Sequence, residues 1–249
     1  MLMDVSDADL AAALADHAGR ILLAIRMSGM FEGRALGEAG DKTANQFLTR
    51  AVRQHRPDDG LLSEESADTR ERLEKRRVWI VDPVDGSREY GEARADWAVH
   101  VGLAIDGAPA VGAVALPDLG LVLRSDRLAD PPQTSGGLRM VVSRTRPPAE
   151  TDVVARRLDA RLLPMGSAGA KAMAVVRGEA DIYLHSGGQH EWDNCAPAAV
   201  AMAHGLHVSR IDGAPLVYNR PDTSVPDLLI CRKHCAPMVF EALSGSHTG

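Results

Sequence analysis

The sequence predicts a mixed α/β protein, with an antiparallel sheet in its first half and a mixed sheet in its second. Three observations carry that expectation. The chain opens on an amphipathic helical pattern. From Trp97 the pattern changes to strand, turn, strand: W-A-V-H-V-G-L-A-I runs into Asp106-Gly107, a hairpin signal, and A-V-G-A-V-A-L follows. Beyond residue 138, short apolar runs alternate with helical stretches.

Residues 6–27 read as a helix, with Ser6 as N-cap and Asp9 three residues on. Leu10, Leu14, Ile21 and Ile25 form its apolar face and Gly29 closes it. Residues 41–54 read as a second helix, with Asp41 at its start and Pro57 beyond its end. A short strand at 61–63, a charged stretch at 68–77 and a strand at 78–81 come next. The hairpin is extended by the turn P-D-L-G and by L-V-L-R, giving an antiparallel meander. D-P-P-Q-T-S-G-G at 130–137 reads as a linker, dividing the chain into halves 1–130 and 138–249. The second half reads as the strand R-M-V-V-S, a helix at 147–159, a strand near Leu162 and a small-residue helix closed by Gly178. The strand D-I-Y-L-H, the helix D-N-C-A-P-A-A-V-A-M-A-H-G, two short strands and a helix at about 236–243 complete it.

Composition narrows the function. A net charge of −6 over 249 residues leaves no footprint for duplex nucleic acid. Three cysteines, Cys195, Cys231 and Cys235, suit a reducing compartment. Cys231 and Cys235 read as core residues, since no second ligand pair stands near them. The acidic start lacks a signal-peptide pattern and no apolar run spans a bilayer, so a cytoplasmic protein with no membrane partner is expected.

The most informative stretch is V-W-I-V-D-P-V-D-G-S-R-E-Y at 78–90. A buried strand here drives into two carboxylates, Asp82 and Asp85, which is costly without protons or cations. Pro83 fixes φ and Gly86 permits a tight turn, so both acids are aimed at one point. S-E-E-S adds Glu64 and Glu65, and E-W-D-N adds Asp193. An all-carboxylate set suits Mg²⁺ better than Zn²⁺. Free N–H groups after Gly86-Ser87 would cradle a phosphate. Together these features describe a phosphoryl-transfer site.

E-E at 64–65, W-I-V-D-P-V-D-G-S at 79–87 and W-D at 192–193 resemble the inositol monophosphatase superfamily of Mg²⁺-dependent, lithium-sensitive phosphatases. The resemblance implies a layered α/β/α/β/α sandwich. It implies a first metal on Glu64, Asp82 and the Val84 carbonyl, and a second on Asp82, Asp85 and Asp193. A weaker third would rest on Glu64, with Glu65 nearby. Gly86 and Ser87 would hold the scissile phosphate. Ser87 stands where the family commonly has threonine, and its hydroxyl would pair with Asp41. This pair and Glu64 would orient the attacking water and take its proton.

Three features resemble the 3′(2′),5′-bisphosphate nucleotidase branch, in its actinobacterial type. Lys171 ends G-S-A-G-A-K and suits a second phosphate. Ser186 replaces the glutamate that binds polyols in inositol monophosphatases. W-D-N-C-A-P and V-V-S-R-T follow the nucleotidase pattern, making Ser143 and Arg144 candidate nucleotide contacts. The implied reaction is hydrolysis of 3′-phosphoadenosine 5′-phosphate (PAP) to AMP and phosphate. The alternatives are an inositol 1-phosphatase, a fructose 1,6-bisphosphatase, or a non-catalytic sensor of nucleotide or Mg²⁺. Monomer and homodimer both stay open. His100 reads as a satisfied core or edge residue, Trp192 as a packing wedge, and His185 and His190 as neighbours with no ligand role.

Overall fold

The computed structural model describes residues 5–127 and 136–244. Most of the expected linker, residues 130–135, lies outside the described residues.

Two long helices come first, α1 (Asp7–Met27) and α2 (Gly33–His55). The Ser6 hydroxyl caps α1 by accepting from the Asp9 amide at 3.1 Å, as the sequence pattern predicts. The buried stripe of α1 differs slightly from the expected one. It runs through Leu10, Leu14, Ala18 and Leu22, while Ile21 and Ile25 lie half-buried at its edge.

α2 starts at Gly33, eight residues before the expected Asp41, so Asp41 sits in mid-helix. Gly37 and Gly40, ahead of the expected start, are there for close packing. A Cβ on Gly40 would come within 2.7 Å of Tyr90 Cε1, and one on Gly37 within 3.2 Å of the Ser87 carbonyl. Small residues at these points let α2 lie against the segment after the acidic turn.

The first sheet has the order β1 (Gly60–Ser63), β2 (Arg77–Asp85), β3 (Ala98–Ile105), β4 (Ala108–Leu116) and β5 (Leu121–Arg124). Its pairs are antiparallel except β1 with β2, which is parallel. The β3–β4 turn at Asp106 and Gly107 has positive φ at both residues, as a two-residue hairpin requires. Inside the charged 68–77 stretch, Arg72 is buried and bound to Asp68, Asn219 and the Arg220 carbonyl.

The second sheet has the order β7 (Arg161–Met165), β6 (Arg139–Ser143), β8 (Ile182–His190), β10 (Ser224–Cys231) and β9 (His207–Ser209). It is mixed: β6 pairs parallel with β7 and β8, and β10 antiparallel with β8 and β9. The remaining helices are α3 (Ser87–Gly91), α4 (Ala149–Leu158), α5 (Ala168–Val176), α6 (Glu191–Ala203) and α7 (Cys235–Ser244).

Three hydrophobic cores stack these layers. α1 and α2 bury Leu14, Leu22 and Leu48 against Trp79, Val81 and Val101 of the first sheet. α5 and α6 fill the space between the sheets, where Met173 and Val200 meet Ile80, Val114, Tyr183 and Ile230. α4 and α7 cover the far side of the second sheet through Val154, Val239 and Leu229. The result is the expected α/β/α/β/α sandwich, and its central core draws on both halves of the chain.

β2 is buried on both faces, which is why its sequence is continuously apolar. Its side chains still alternate: Trp79 and Val81 face α1 and α2, while Val78 and Ile80 face the central helices. Asp82 follows Ile80 on the same alternation, so the strand delivers it to the central layer.

Candidate active site

β2 carries its pairing with β3 up to Asp82, opposite His100, and then slips register before Asp85, opposite Ala98. The Asp82 carboxylate accepts from the Val84 amide at 3.1 Å, which curls the chain over Pro83. Gly86 completes the corner at φ +90°, a left-handed conformation unfavourable for other residues. Any Cβ there would also meet Glu89 and Ser167 at 3.3 Å. Ser87 then opens the short helix α3, where first-turn amides have no helical partner.

This corner gathers acids from distant parts of the chain. Asp82 and Asp85 meet Asp193 of α6, with ligand oxygens all within 4.8 Å of one another. Glu64 stands near this group, close enough for its carboxyl and that of Asp82 to shift one another. The S-E-E-S loop bearing Glu64 is tied to α2 by Asn45, which accepts from Ser63 at 2.8 Å and donates to the Glu65 carbonyl at 3.2 Å. The Asp193 carboxylate also accepts from the His190 amide at 2.6 Å, closing a capping box at the start of α6.

The electrostatics are unequal. Burial and then the neighbouring Glu64 and Asp85 charges hold Asp82 well above the ordinary carboxylate range. Glu64 is solvent-accessible at the rim, yet desolvation by the surrounding protein and the Asp193 charge push it up to about 7. Burial and Asp85 raise Asp193 to about 6. Burial alone would raise Asp85 too. His100, the Ser167 hydroxyl and the Gly169 amide outweigh it and bring Asp85 down to about 2. Several carboxylates crowded together, with only part of their charge compensated, fit a hard divalent cation held by oxygen donors.

Asp41 and Ser87 also meet. The Ser87 hydroxyl lies 3.3 Å from Asp41 Oδ1 and 3.0 Å from the Val84 carbonyl. Burial raises Asp41 to about 7, against the lowering effect of the Ser87 bond.

A cavity of about 510 Å³ opens over the acids. Asp85, Gly86, Ser87 and Asp193 line one side, and Ser143, Arg144 and Lys171 line the other. The cavity thus joins two of the expected metal residues, Asp85 and Asp193, to the expected substrate residues, while Glu64, Asp82 and Val84 are not among its lining residues; two of the substrate residues are engaged in ways the sequence does not reveal. Lys171 is buried, and its Nζ donates to the Gly166 and Ser167 carbonyls at 2.6 and 2.5 Å. Burial lowers it to about 8. Arg144 is paired with Asp96 and, at 3.3 Å, with Glu89. Asp96 in turn accepts from the Gly166 amide at 2.6 Å, so Arg144 helps hold the 166–167 turn.

Sequence reasoning passed over Arg146, which lines the same cavity and makes no ion pair with any described residue. It also passed over Glu150 of α4, whose carboxylate accepts from Ser186 at 2.9 Å. A negative charge therefore stands beside Ser186, although Glu150 is not among the residues lining the cavity. Ser167 is a further omission, and His100, expected as a satisfied core or edge residue, turns its Nε2 to Asp85 without an aligned hydrogen bond. Ser167 caps α5 and donates to Asp85 at 2.5 Å from a strained φ of +35°. His100 is fully buried, with Nε2 at 3.1 Å from Asp85 and Nδ1 at 3.0 Å from the Trp192 carbonyl. Burial opposes its charge, but Asp85 raises it above the usual histidine value. The available signal was a histidine directly across the strand pair from Asp82, legible only once the register is known. Trp192 packs against the central core and stacks on His190, as a wedge would.

The chain matches the profile of the Inositol monophosphatase family over residues 10–244. It is 48% identical to a 3′-phosphoadenosine 5′-phosphate phosphatase of Mycobacterium leprae, covering 95% of this chain and 93% of that protein. It is 30% identical to the 3′(2′),5′-bisphosphate nucleotidase CysQ of Escherichia coli K12, covering 72% of this chain and 78% of that protein. Its fold is shared with the crystal structure of CysQ from Bacteroides thetaiotaomicron at a TM-score of 0.80 and 22% identity, covering 94% of this chain and 99% of the other. With the acidic corner, the layered fold and this similarity in agreement, the chain belongs to the inositol monophosphatase family.

Proposed function

We propose that this protein is a Mg²⁺-dependent 3′(2′),5′-bisphosphate nucleotidase that hydrolyses PAP to AMP and phosphate, clearing a by-product of sulfate assimilation. One observation carries the reading: near-full-length 48% identity to a phosphatase of that substrate, in a chain whose acids converge beneath a cavity containing Lys171. The two halves, 1–130 and 138–249, would complete this one site between them.

Glu64, Asp82 and the Val84 carbonyl would hold one ion, Asp82, Asp85 and Asp193 a second, and Glu64 with Glu65 a weaker third. Ions bound there supply positive charge against the phosphate and make water easier to deprotonate. The chain's own groups do the rest. The Gly86 and Ser87 amides bind the scissile phosphate. Ser87, its hydroxyl within reach of Asp41, orients the attacking water, and Asp41 and Glu64 take up its proton. Lys171 answers the second phosphate and holds the 166–167 turn through its two carbonyl bonds. Ser143 and Arg144 complete the nucleotide side, Arg144 mainly by fixing that turn through Asp96.

The substrate is a small phosphorylated nucleotide, with neither nucleic acid nor membrane as partner, and the active form is a monomer or homodimer. Among the described residues no helix is long and apolar enough to cross a membrane. We place the enzyme in the cytoplasm. Phosphate release with and without Mg²⁺, compared as kcat/KM on PAP, inositol 1-phosphate and fructose 1,6-bisphosphate, tests the reading. PAP should be preferred and Mg²⁺ required. Preference for inositol 1-phosphate would overturn the substrate, and binding without turnover would favour a sensor.

A further inference from the structure

We infer that His100 is a positioning residue that pre-assembles the metal site, by fixing the Asp85 carboxylate and the start of α6 in one frame. This rests on the metal-site reading proposed above. Asp85 stands within 4.8 Å of Asp82 and Asp193, and three carboxylates this close would move apart unless something held them. Asp85 is held. Oδ1 accepts from the Ala168 amide at 3.0 Å, and Oδ2 from the Ser167 hydroxyl and the Gly169 amide at 2.5 Å each. Those three donors all come from the start of α5. The remaining contact, His100 Nε2 at 3.1 Å from Oδ2, comes from β3, and it is an ion-pair approach rather than an aligned hydrogen bond.

The other nitrogen of the same ring reaches the Trp192 carbonyl at 3.0 Å, one residue before Asp193. One fully buried ring therefore bridges Asp85 and the residue just before Asp193, on separate elements. Both nitrogens face acceptors, so neither contact can be relaxed without cost to the other. The surroundings fit the ring closely: a Cβ on Gly169 would overlap Nε2, so only glycine at that position admits the histidine while donating its amide to Asp85.

Mn²⁺ binding by titration calorimetry on the full chain stripped of metal tests this, beside the melting temperature of each metal-free variant. His100→Ala removes both contacts, and His100→Gln keeps a donor of similar reach. His100→Ala should weaken Mn²⁺ affinity by about 10- to 100-fold, the usual cost of losing a group that orients a metal ligand. His100→Gln should recover much of that loss. A purely structural role would lower the metal-free melting temperature in both variants and leave Mn²⁺ affinity within about twofold, which overturns the inference. Should His100→Ala fail to fold, affinity at the wild-type level in His100→Asn overturns it equally. Wild-type protein that takes up no Mn²⁺ overturns this and the metal-site reading together. Wild-type binding with equal binding by the variants overturns this one alone.

Discussion

Asp82 and Asp85 stand three residues apart at the end of one strand, in sharply different surroundings. Asp85 is met by a hydroxyl, two amides and a histidine, and ionises at about 2. Asp82 receives one amide and otherwise faces Glu64, Asp85 and Asp193, which with burial hold it well above the ordinary range. The difference teaches a division of labour. The protein satisfies Asp85 by itself and leaves Asp82 unsatisfied, so that a cation is the missing partner. One acid is the fixed post against which the ion is located, and the other supplies the demand for it.

Exchanging each acid for its amide separates the two roles. Asp82→Asn should cut PAP turnover by roughly a thousandfold in a phosphate-release assay, since in the proposed site it would remove a ligand shared by two ions. The same change should raise the melting temperature of the metal-free protein, because it relieves repulsion. Asp85→Asn should also abolish turnover but destabilise the metal-free fold, by about 3 kcal/mol in denaturant titration, because it strands His100 and two amides. Equal stability effects from the two changes would dissolve the comparison.

Specificity sharpens it next. Lys171→Asn should lower kcat/KM on PAP about tenfold more than on inositol 1-phosphate, roughly 1.4 kcal/mol of discrimination. Equal losses would make Lys171 only a brace for the 166–167 turn.

Heat stability should respond to pH as well. Glu64 and Asp41 near 7 and Asp193 near 6 lie above ordinary carboxylate values, so the metal-free fold keeps protons that the unfolded chain has released. Their stabilising contribution is full below about pH 4 and is lost as pH rises through about 6 to 7. Mg²⁺ needs the deprotonated groups. Saturating Mg²⁺ should therefore raise the melting temperature by about 5 to 10 °C at pH 8 and much less at pH 5. A metal-induced rise that does not change with pH would contradict this assignment of the raised acids.

The acidic corner was legible in the sequence because a buried apolar run ending in carboxylates is an anomaly that demands a partner. The β3–β4–β5 meander was legible from hairpin chemistry and alternation, while the layering was implied by the family resemblance. What escaped depended on approach between elements. The early start of α2 is hidden in the sequence, because Gly37 and Gly40 show their packing role only once α3 is pressed against them. Lys171 looks like a surface residue until the carbonyls of Gly166 and Ser167 are placed at its tip. Arg144 looks like a free cation, but its neutralising acids, Glu89 and Asp96, lie about fifty residues away. His100 looks like an ordinary core histidine until the strand register sets it across from Asp82.

The seat of α6 has a consequence for how such a site tolerates change. Gly102 and Gly112 let this helix press on the first sheet at Ala196, a turn beyond Asp193, and a Cβ on Gly112 would collide with the Ala196 carbonyl. Nothing at that contact can absorb added bulk without lifting the helix. An alanine at Gly112 would thus move the helix that carries Asp193 and disturb the acid cluster from outside it.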